Sequence, residues 1–526
     1  MERNPDTLKR LGVLLAFIVV LGVPLAFRPR HVETVEAADH VIILTPHNEQ
    51  IRYEFGRAFE EWHRKNYGRS VAVDWRYIGG TAEIRRLLIA QYTAAVSNGR
   101  LTPTGEPAAQ AGPLPFDLLF GGGSFEHEQL KRGVSARPPG ADHDVTISMS
   151  VPAGLEPEWL SRMLGENRIG ASRLYDPGDA AKSDPGQHWI GNALSGFGIV
   201  FNRKILERIG LEEPRSWDNL TDPRLNGWIA LADPRQSGSI ATTYESILNI
   251  YGWEKGWRTL RAMAANARSF ANSAPKVPID VSQGEAAVGL SIDFYGRYQA
   301  QAVMRPGETV KTSRVGYVDP PGEVFIDVDP ASVLRAGPHP EVARRFMRFL
   351  LSDEGQALWQ FRAKSGLAEA PPDGLGPERF ELRRMPVRRD FYQRFSARMV
   401  DRVDPFGSAA NTTSRGWRAA VAPMMAVCAI DIHDDIRRAW TAMISARQRG
   451  AGPSVLADME RLFFAMPDHR MPDGSVLEFT EENFPAILRD WREAERDGRI
   501  NQIRIAYASA CRANYRSIVE LSAGVR

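Results

Sequence analysis

From residue 40 onward the chain repeats one unit: a short apolar run, a turn marked by Gly or Pro, then a segment of helical periodicity. The first unit has Val41, Ile42, Ile43 and Leu44, the turn Thr45-Pro46-His47, then Ile51, Phe55, Phe59 and Trp62 at near fourfold spacing. The second has residues 71–75, the turn Gly79-Gly80-Thr81, then Ile84, Leu87, Leu88 and Tyr92 on one helical face. The third runs from residues 116–120 into Gly121-Gly122-Gly123-Ser124. Strand, turn and helix in this order predict a parallel sheet covered by helices, because each strand is buried on both faces. Residues 98–115, between the second and third units, are rich in Pro, Gly and Ala without an apolar period, and read as an exposed loop insertion.

A second set follows Gly196. Residues 197–201 read as a strand, and Asn202 as the cap of a helix carrying Ile205 and Ile209. A strand at 228–232 enters the turn 233–239 and a helix over 240–251, and the apolar runs 286–292, 315–318 and 325–328 complete a second α/β lobe. Two amphipathic helices at 340–351 and 352–361 precede Pro371-Pro372. The remainder has helical periodicity, few β-branched runs and many arginines. A chain of 526 residues exceeds what one core usually organises. The expected organisation is therefore an export segment at 1–38, a first lobe from 40–194 and 320–372, a second lobe at 195–319, and an α-helical extension at 373–526.

Lys9-Arg10 precede an uncharged run at residues 11–27, closed by Arg28 and Arg30. This is a signal peptide or a membrane anchor. As a helix it would span roughly 26 Å, short of a ~30 Å hydrocarbon core, and Pro24 would kink it. The cleavage pattern Val35-Glu36-Ala37 lies beyond a charged stretch, which leaves an uncleaved tether through residues 11–27 open. Both readings place residues from about 38 onward outside the cytoplasm, in the periplasm or anchored to the inner membrane. The only cysteines, Cys428 and Cys511, form one disulfide or remain two buried thiols.

The formal net charge of +2 argues against a nucleic-acid partner. Arg383-Arg384 and Arg388-Arg389 alternate with acidic residues and read as a solvated helical face. No GxSxG, HExxH or GxxxxGK[ST] pattern occurs, which points to a binder and not an enzyme.

Several phrases carry a family resemblance: residues 188–202 (HWIGNALSGFGIVFN), 214–223 (PRSWDNLTDP), 229–234 (IALADP) with Ser237-Gly238-Ser239, and 343–356 (ARRFMRFLLSDEGQ). In this order and spacing, residues 40–372 resemble the extracellular solute-binding proteins of ferric-iron-type ABC importers. The resemblance implies a type II periplasmic-binding fold, in which two α/β lobes joined by crossing strands close on a ligand by hinge motion. It also implies the membrane subunits of an ABC importer as partners. It does not extend over 373–526.

In such sheets ligands sit at the carboxyl ends of strands, where turns expose N–H groups and helix N-termini favour anions. The candidate ligand-binding residues are Thr45, Gly80, Thr81, Gly122, Ser124, Ser195, Ser237, Gly238, Ser239, Thr242, Thr243, Asp293 and Tyr295. Trp189 either walls the cleft or makes a hydrophobic hinge contact. Asp319 and Glu323, flanking Pro320-Pro321-Gly322, either meet a cationic ligand or solubilise a turn. His47 stands where the ferric-binding branch of the family places a histidine ligand. That branch adds two adjacent tyrosines, whereas this chain has Phe294-Tyr295 with Tyr298 further on, so His47, Tyr295 and Tyr298 form the iron alternative. The turn hydroxyls and glycines favour a small organic anion such as a phosphonate, sugar phosphate or carboxylate. No resident cofactor is expected, ferric iron entering only as transported ligand. A third reading is a membrane-tethered ligand sensor or assembly protein that uses the extension to dock a partner.

Overall fold

The computed structural model describes residues 39–309, 311–409, 412 and 414–525. The apolar run at 11–27 lies outside them. Among the described residues, no helix is long and apolar enough to cross a membrane.

The first lobe opens with β1 (Asp39–Leu44), α1 (Glu49–Tyr67), β2 (Val71–Arg76), α2 (Thr81–Ser97), β3 (Leu118–Phe120) and α3 (Ser124–Arg132). Asn48 starts α1 by accepting the Ile51 N–H, and Gly68, in the left-handed region, ends it. The three strands pair parallel with β1 in the centre. Residues 98–115 form the expected, mostly exposed loop, anchored at both ends by Leu101 and Leu114, which are buried in the lobe's core.

The chain then crosses on β4 (Ile190–Asn202), a strand buried at every position. The second lobe adds β5 (Ile229–Ala232), α4 (Gly238–Tyr251), α5 (Trp253–Asn266), β6 (Ala267–Ala271), α6 (Lys276–Gln283), β7 (Val288–Ile292), α7 (Asp293–Ala302) and β8 (Val315–Val318). The half-exposed strand β6 carries little apolar signal and escapes a sequence reading. The return crossing is β9 (Ile326–Leu334), antiparallel to β4 and to β3, followed by α8 (Pro340–Leu351) and α9 (Asp353–Gln360). One continuous sheet results, in the order β2-β1-β3-β9-β4-β7-β5-β6. The two crossing strands therefore form its middle.

Two large cores lie on either side of the crossing. The first gathers Phe55, Phe59, Phe120, Phe346, Phe349 and Trp359, with Phe55 and Trp359 ring centroids 4.4 Å apart. At about 1.5–3 kcal/mol per buried large side chain, such a cluster dominates the lobe's stability. The second core contains Trp217, Tyr244, Leu260 and Leu290, and runs on without a break into Trp417, Met424, Ile436, Phe463 and Ile518.

Those last residues belong to the extension. It contributes β10 (Met385–Pro386), α10 (Arg418–Met425), α11 (His433–Gln448), α12 (Pro453–Phe464), α13 (Phe484–Asp497) and α14 (Ile500–Ala523). β10 pairs with β4 at Leu194 and Ala193, so the extension joins the crossing itself. Of the expected solvated arginine face only Arg389 is exposed; Arg383, Arg384 and Arg388 are 5 %, 3 % and 5 % exposed. Arg388 is held by Asp353 at 2.8 Å and Asp390 at 2.6 Å, and Arg383 by Asp401. Apart from the local Asp390, their acidic partners Asp353 and Asp401 come from packed segments and not from a helical period, which is why charge alternation misleads.

Candidate ligand-binding cleft

A cavity of about 330 Å³ opens between the lobes. Its walls are the turns that follow strand ends: His47 after β1, Gly80 and Thr81 after β2, Gly122 after β3, Ser237 and Gly238 after β5, Phe294 and Tyr295 after β7. This is the position the sheet geometry dictates, since the carboxyl ends of the strands converge at the crossing.

Two helices begin at this cavity, one from each lobe. α2 starts at Thr81 and α4 at Gly238, and the two starts nearly touch. A Cβ placed on Gly238 would lie 2.9 Å from the Thr81 hydroxyl, and one on Gly80 would lie 2.8 Å from the Gln236 carbonyl oxygen. The first N–H groups of each helix have no intrahelical partner, so both ends present positive potential to the space between. Ser237 Oγ caps α4 by accepting from Ile240 N–H and lies 3.0 Å from Ser239 Oγ.

Charged groups sit at the base. Asp329, on β9, accepts the Gly122 N–H at 2.6 Å, lies 3.0 Å from His47 Nε2 and pairs directly with Arg384. Arg384 also reaches His47 Nε2 at 2.9 Å, donates to Ser195 Oγ at 2.5 Å, and lies over the Phe294 ring at 4.5 Å. Burial pushes the Asp329 carboxyl up, but Arg384 and His47 outweigh it and hold its pKa below the ordinary value. Burial lowers the His47 pKa against the pull of Asp329. Asp327 also lines the cavity, and burial raises its carboxyl to about 6 although the Ser124 N–H donates to it at 3.1 Å.

Of the candidate residues, Gly80, Thr81, Gly122, Ser195, Ser237, Gly238, Ser239, Thr242 and Tyr295 line the cavity together with His47. Others do not. Thr45 is buried behind His47 and accepts its backbone N–H at 3.1 Å. Ser124 gives its N–H to Asp327, and Gly122 gives its own to Asp329, so the protein's carboxylates occupy donors expected to meet a ligand. Gly122 is nonetheless required: at φ 114° a Cβ would fall 2.3 Å from Thr81 Cγ2. Thr243 donates back to the Ser239 carbonyl at 2.9 Å, the bond a helical Thr makes to the residue four positions earlier. Thr242 does the same with Gly238 while accepting from Arg418 of the extension at 2.6 Å.

Asp293 is wholly buried beneath the cavity, and burial raises its pKa to about 7 despite Arg297. Trp189 packs in the first core with its indole N–H on Glu128 at 3.2 Å. Asp319 pairs with Arg297, and Glu323 accepts the Trp217 N–H at 3.1 Å, so neither faces a ligand. The iron set is not assembled: Tyr298 is 42 % exposed and outside the cavity, and His47 is engaged by Asp329 and Arg384. Burial also pushes the Tyr295 phenol up to about 12.

Residues missed by the sequence reading include Tyr77, Asn272, Ser273, Asp327, Asp329 and Arg384. Asp327 and Asp329 alternate on the apolar run after residue 325, where polar residues of period two on a buried strand were a usable signal. Arg384 had none.

Residues 143–372 match the model of a family described as bacterial extracellular solute-binding protein. The match is confined to this segment, 230 of the 526 residues. His47, Thr81 and Gly122 precede the matched segment and Arg384 follows it, so the cleft draws on both sides of it. The phosphoglycerate transport regulatory protein PgtC of Salmonella typhimurium (strain LT2) is 27 % identical over 166 residues, 32 % of this chain and 39 % of that relative. The chain thus spans about two fifths of the length of this curated relative. Among solved structures, the periplasmic binding protein AfuA of Actinobacillus pleuropneumoniae, with fructose-6-phosphate bound, is 17 % identical at a TM-score of 0.44, over 61 % of this chain and 81 % of that one. Iron-bound HitA of Pseudomonas aeruginosa is 18 % identical at 0.47, over 73 % and 98 %.

Proposed function

We propose that this chain is an exported binding protein that holds a small organic anion, phosphorylated or carboxylated, between its lobes and presents it to the membrane subunits of an ABC importer. The observation that carries this reading is the meeting of two helix N-termini, one from each lobe, in a single cavity. An anion placed there is stabilised by both helices only when the lobes are together, so binding drives closure. Hydroxyls of Thr81, Ser195, Ser237 and Ser239 supply neutral donors around it. A volume of about 330 Å³ is near the lower end for small-molecule sites, which suits a few carbon atoms with one or two acid groups. The relationship to PgtC, named for phosphoglycerate transport, agrees with a ligand of this class.

That relative is also named as a regulatory protein, and this favours a second reading, a ligand sensor whose closure is reported to a partner through the helices of residues 373–526.

Calorimetric titration of residues 39–526 with phosphoglycerate, glycerol phosphate, fructose-6-phosphate and ferric iron tests the proposal. Micromolar binding of at least one acid is expected. Binding of ferric iron with a phenolate absorption band, and of none of the acids, overturns it.

A further inference from the structure

The chain has two cysteines, and the fold brings them together. Cys428 lies in a π-helical stretch, Ala426–Ile430, that continues α10, and Cys511 lies in α14. Their sulfurs are 3.1 Å apart, and the residues are 2 % and 1 % exposed. A disulfide bond of about 2.05 Å therefore needs an approach of only about 1 Å.

A second feature of the same pocket points to redox chemistry. Arg261, on α5, is buried beside the two thiols, donating to Tyr515 Oη at 2.7 Å and to the Ala465 carbonyl at 2.8 Å. Among the described residues no carboxylate pairs with it; the ionisable groups that act on it are Tyr515 and the two cysteines. A buried guanidinium without a carboxylate favours any neighbouring anion, here a thiolate. The hydrogen bond between the two sulfurs holds the Cys511 thiol below its usual range, while that bond and burial raise Cys428. The Tyr515 hydroxyl donates to the Cys428 carbonyl at 2.7 Å and fixes the backbone that carries the second thiol.

We propose that Cys428 and Cys511 close a disulfide that staples the C-terminal helix α14 to the stretch continuing α10, inside the core that the extension shares with the second lobe. With a disulfide oxidant such as oxidised glutathione, the Cys511 thiolate attacks one sulfur and releases a glutathione thiolate. The Cys428 thiolate then attacks the Cys511 sulfur of the mixed disulfide and releases the second. The protein gives up two electrons and two protons, and one oxidised glutathione becomes two reduced molecules. The bond closes a loop that contains α11, α12 and α13, and so ties the two ends of the extension's helical bundle together.

The test uses the full chain purified under reducing conditions, then held in a glutathione redox buffer with and without refolding from urea. Thiols are counted by maleimide mass shift after denaturation without reductant. Expected are no labelled thiols, a mass two hydrogens lower, and a melting temperature that falls by about 5 °C on reduction. The variant C428A should show one labelled thiol and no response of melting to reductant. Two labelled thiols in the refolded wild type overturn the proposal, as does a reductant effect of equal size in C428A.

Discussion

Arg384 and Asp329 form a buried ion pair across the crossing strands, one partner standing beyond the matched segment and the other within it. The aspartate carries the cleft's turn through Gly122, and the arginine carries Ser195 and His47. The extension is thereby wired into the base of the binding cavity. Removing one partner leaves the other charge buried and unpaired. Arg384→Met alone should cost about 3–5 kcal/mol in urea unfolding, and the double variant with Asp329→Leu should recover much of it. An additive double variant would mean the two charges do not compensate each other.

Contact between the lobes depends on the absence of a side chain at Gly80, whose Cβ would meet the Gln236 backbone oxygen at 2.8 Å. Gly80→Ala should hold the lobes apart, weaken anion binding about tenfold, and leave the melting temperature of the free protein nearly unchanged. X-ray scattering of the liganded variant should give a larger radius of gyration than liganded wild type. Equal affinity and equal radius would show that closure does not bring these turns together.

Asp327 gives the cleft a pH response. Its carboxyl, raised by burial to about 6, is protonated at pH 5 and charged at pH 8. A charged Asp327 repels an anion, so affinity for an organic acid should fall as pH rises through about 6. Asp327→Asn should flatten that profile. A binding constant that does not change between pH 5 and 8 in wild type would remove Asp327 from the ligand's field.

Asp293 acts on stability and not on binding. Its pKa rises from 3.8 to about 7 on folding, so the native state holds the proton more tightly than the unfolded chain. Its favourable contribution is full below pH 3.8 and is lost as pH rises through about 7. Asp293→Asn should therefore stabilise the protein at pH 8, by on the order of 3 kcal/mol, and have little effect near pH 4. Denaturant midpoints at the two pH values decide it.

Two neighbouring hydroxyls should separate cleanly. Ser239 lines the cavity, whereas Thr243 bonds back to its own helix. Ser239→Ala should weaken anion binding by about 1–3 kcal/mol and Thr243→Ala should not. The reverse ordering by calorimetry would relocate the ligand along α4.

The sequence by itself determined the units of the sheet. Short apolar runs and near fourfold apolar spacing placed β1, α1, β2 and α2, and the apolar run at 197–201 marked the second half of the first crossing strand, β4. Turn residues at strand ends pointed to Gly80, Thr81 and Ser237, because φ/ψ freedom and capping are local properties written in local residues, whereas Ser195, expected in a turn, lies inside the crossing strand β4. Only the tertiary structure decided which donors remain for a ligand. Gly122 and Ser124 look available in the sequence, yet Asp329 and Asp327, more than 200 residues later, take their N–H groups. It also decided that Arg384 enters the cleft and that Cys428 meets Cys511. A charge or a thiol has no periodicity of its own, and its partner is set by how distant segments pack; no local pattern carries that information.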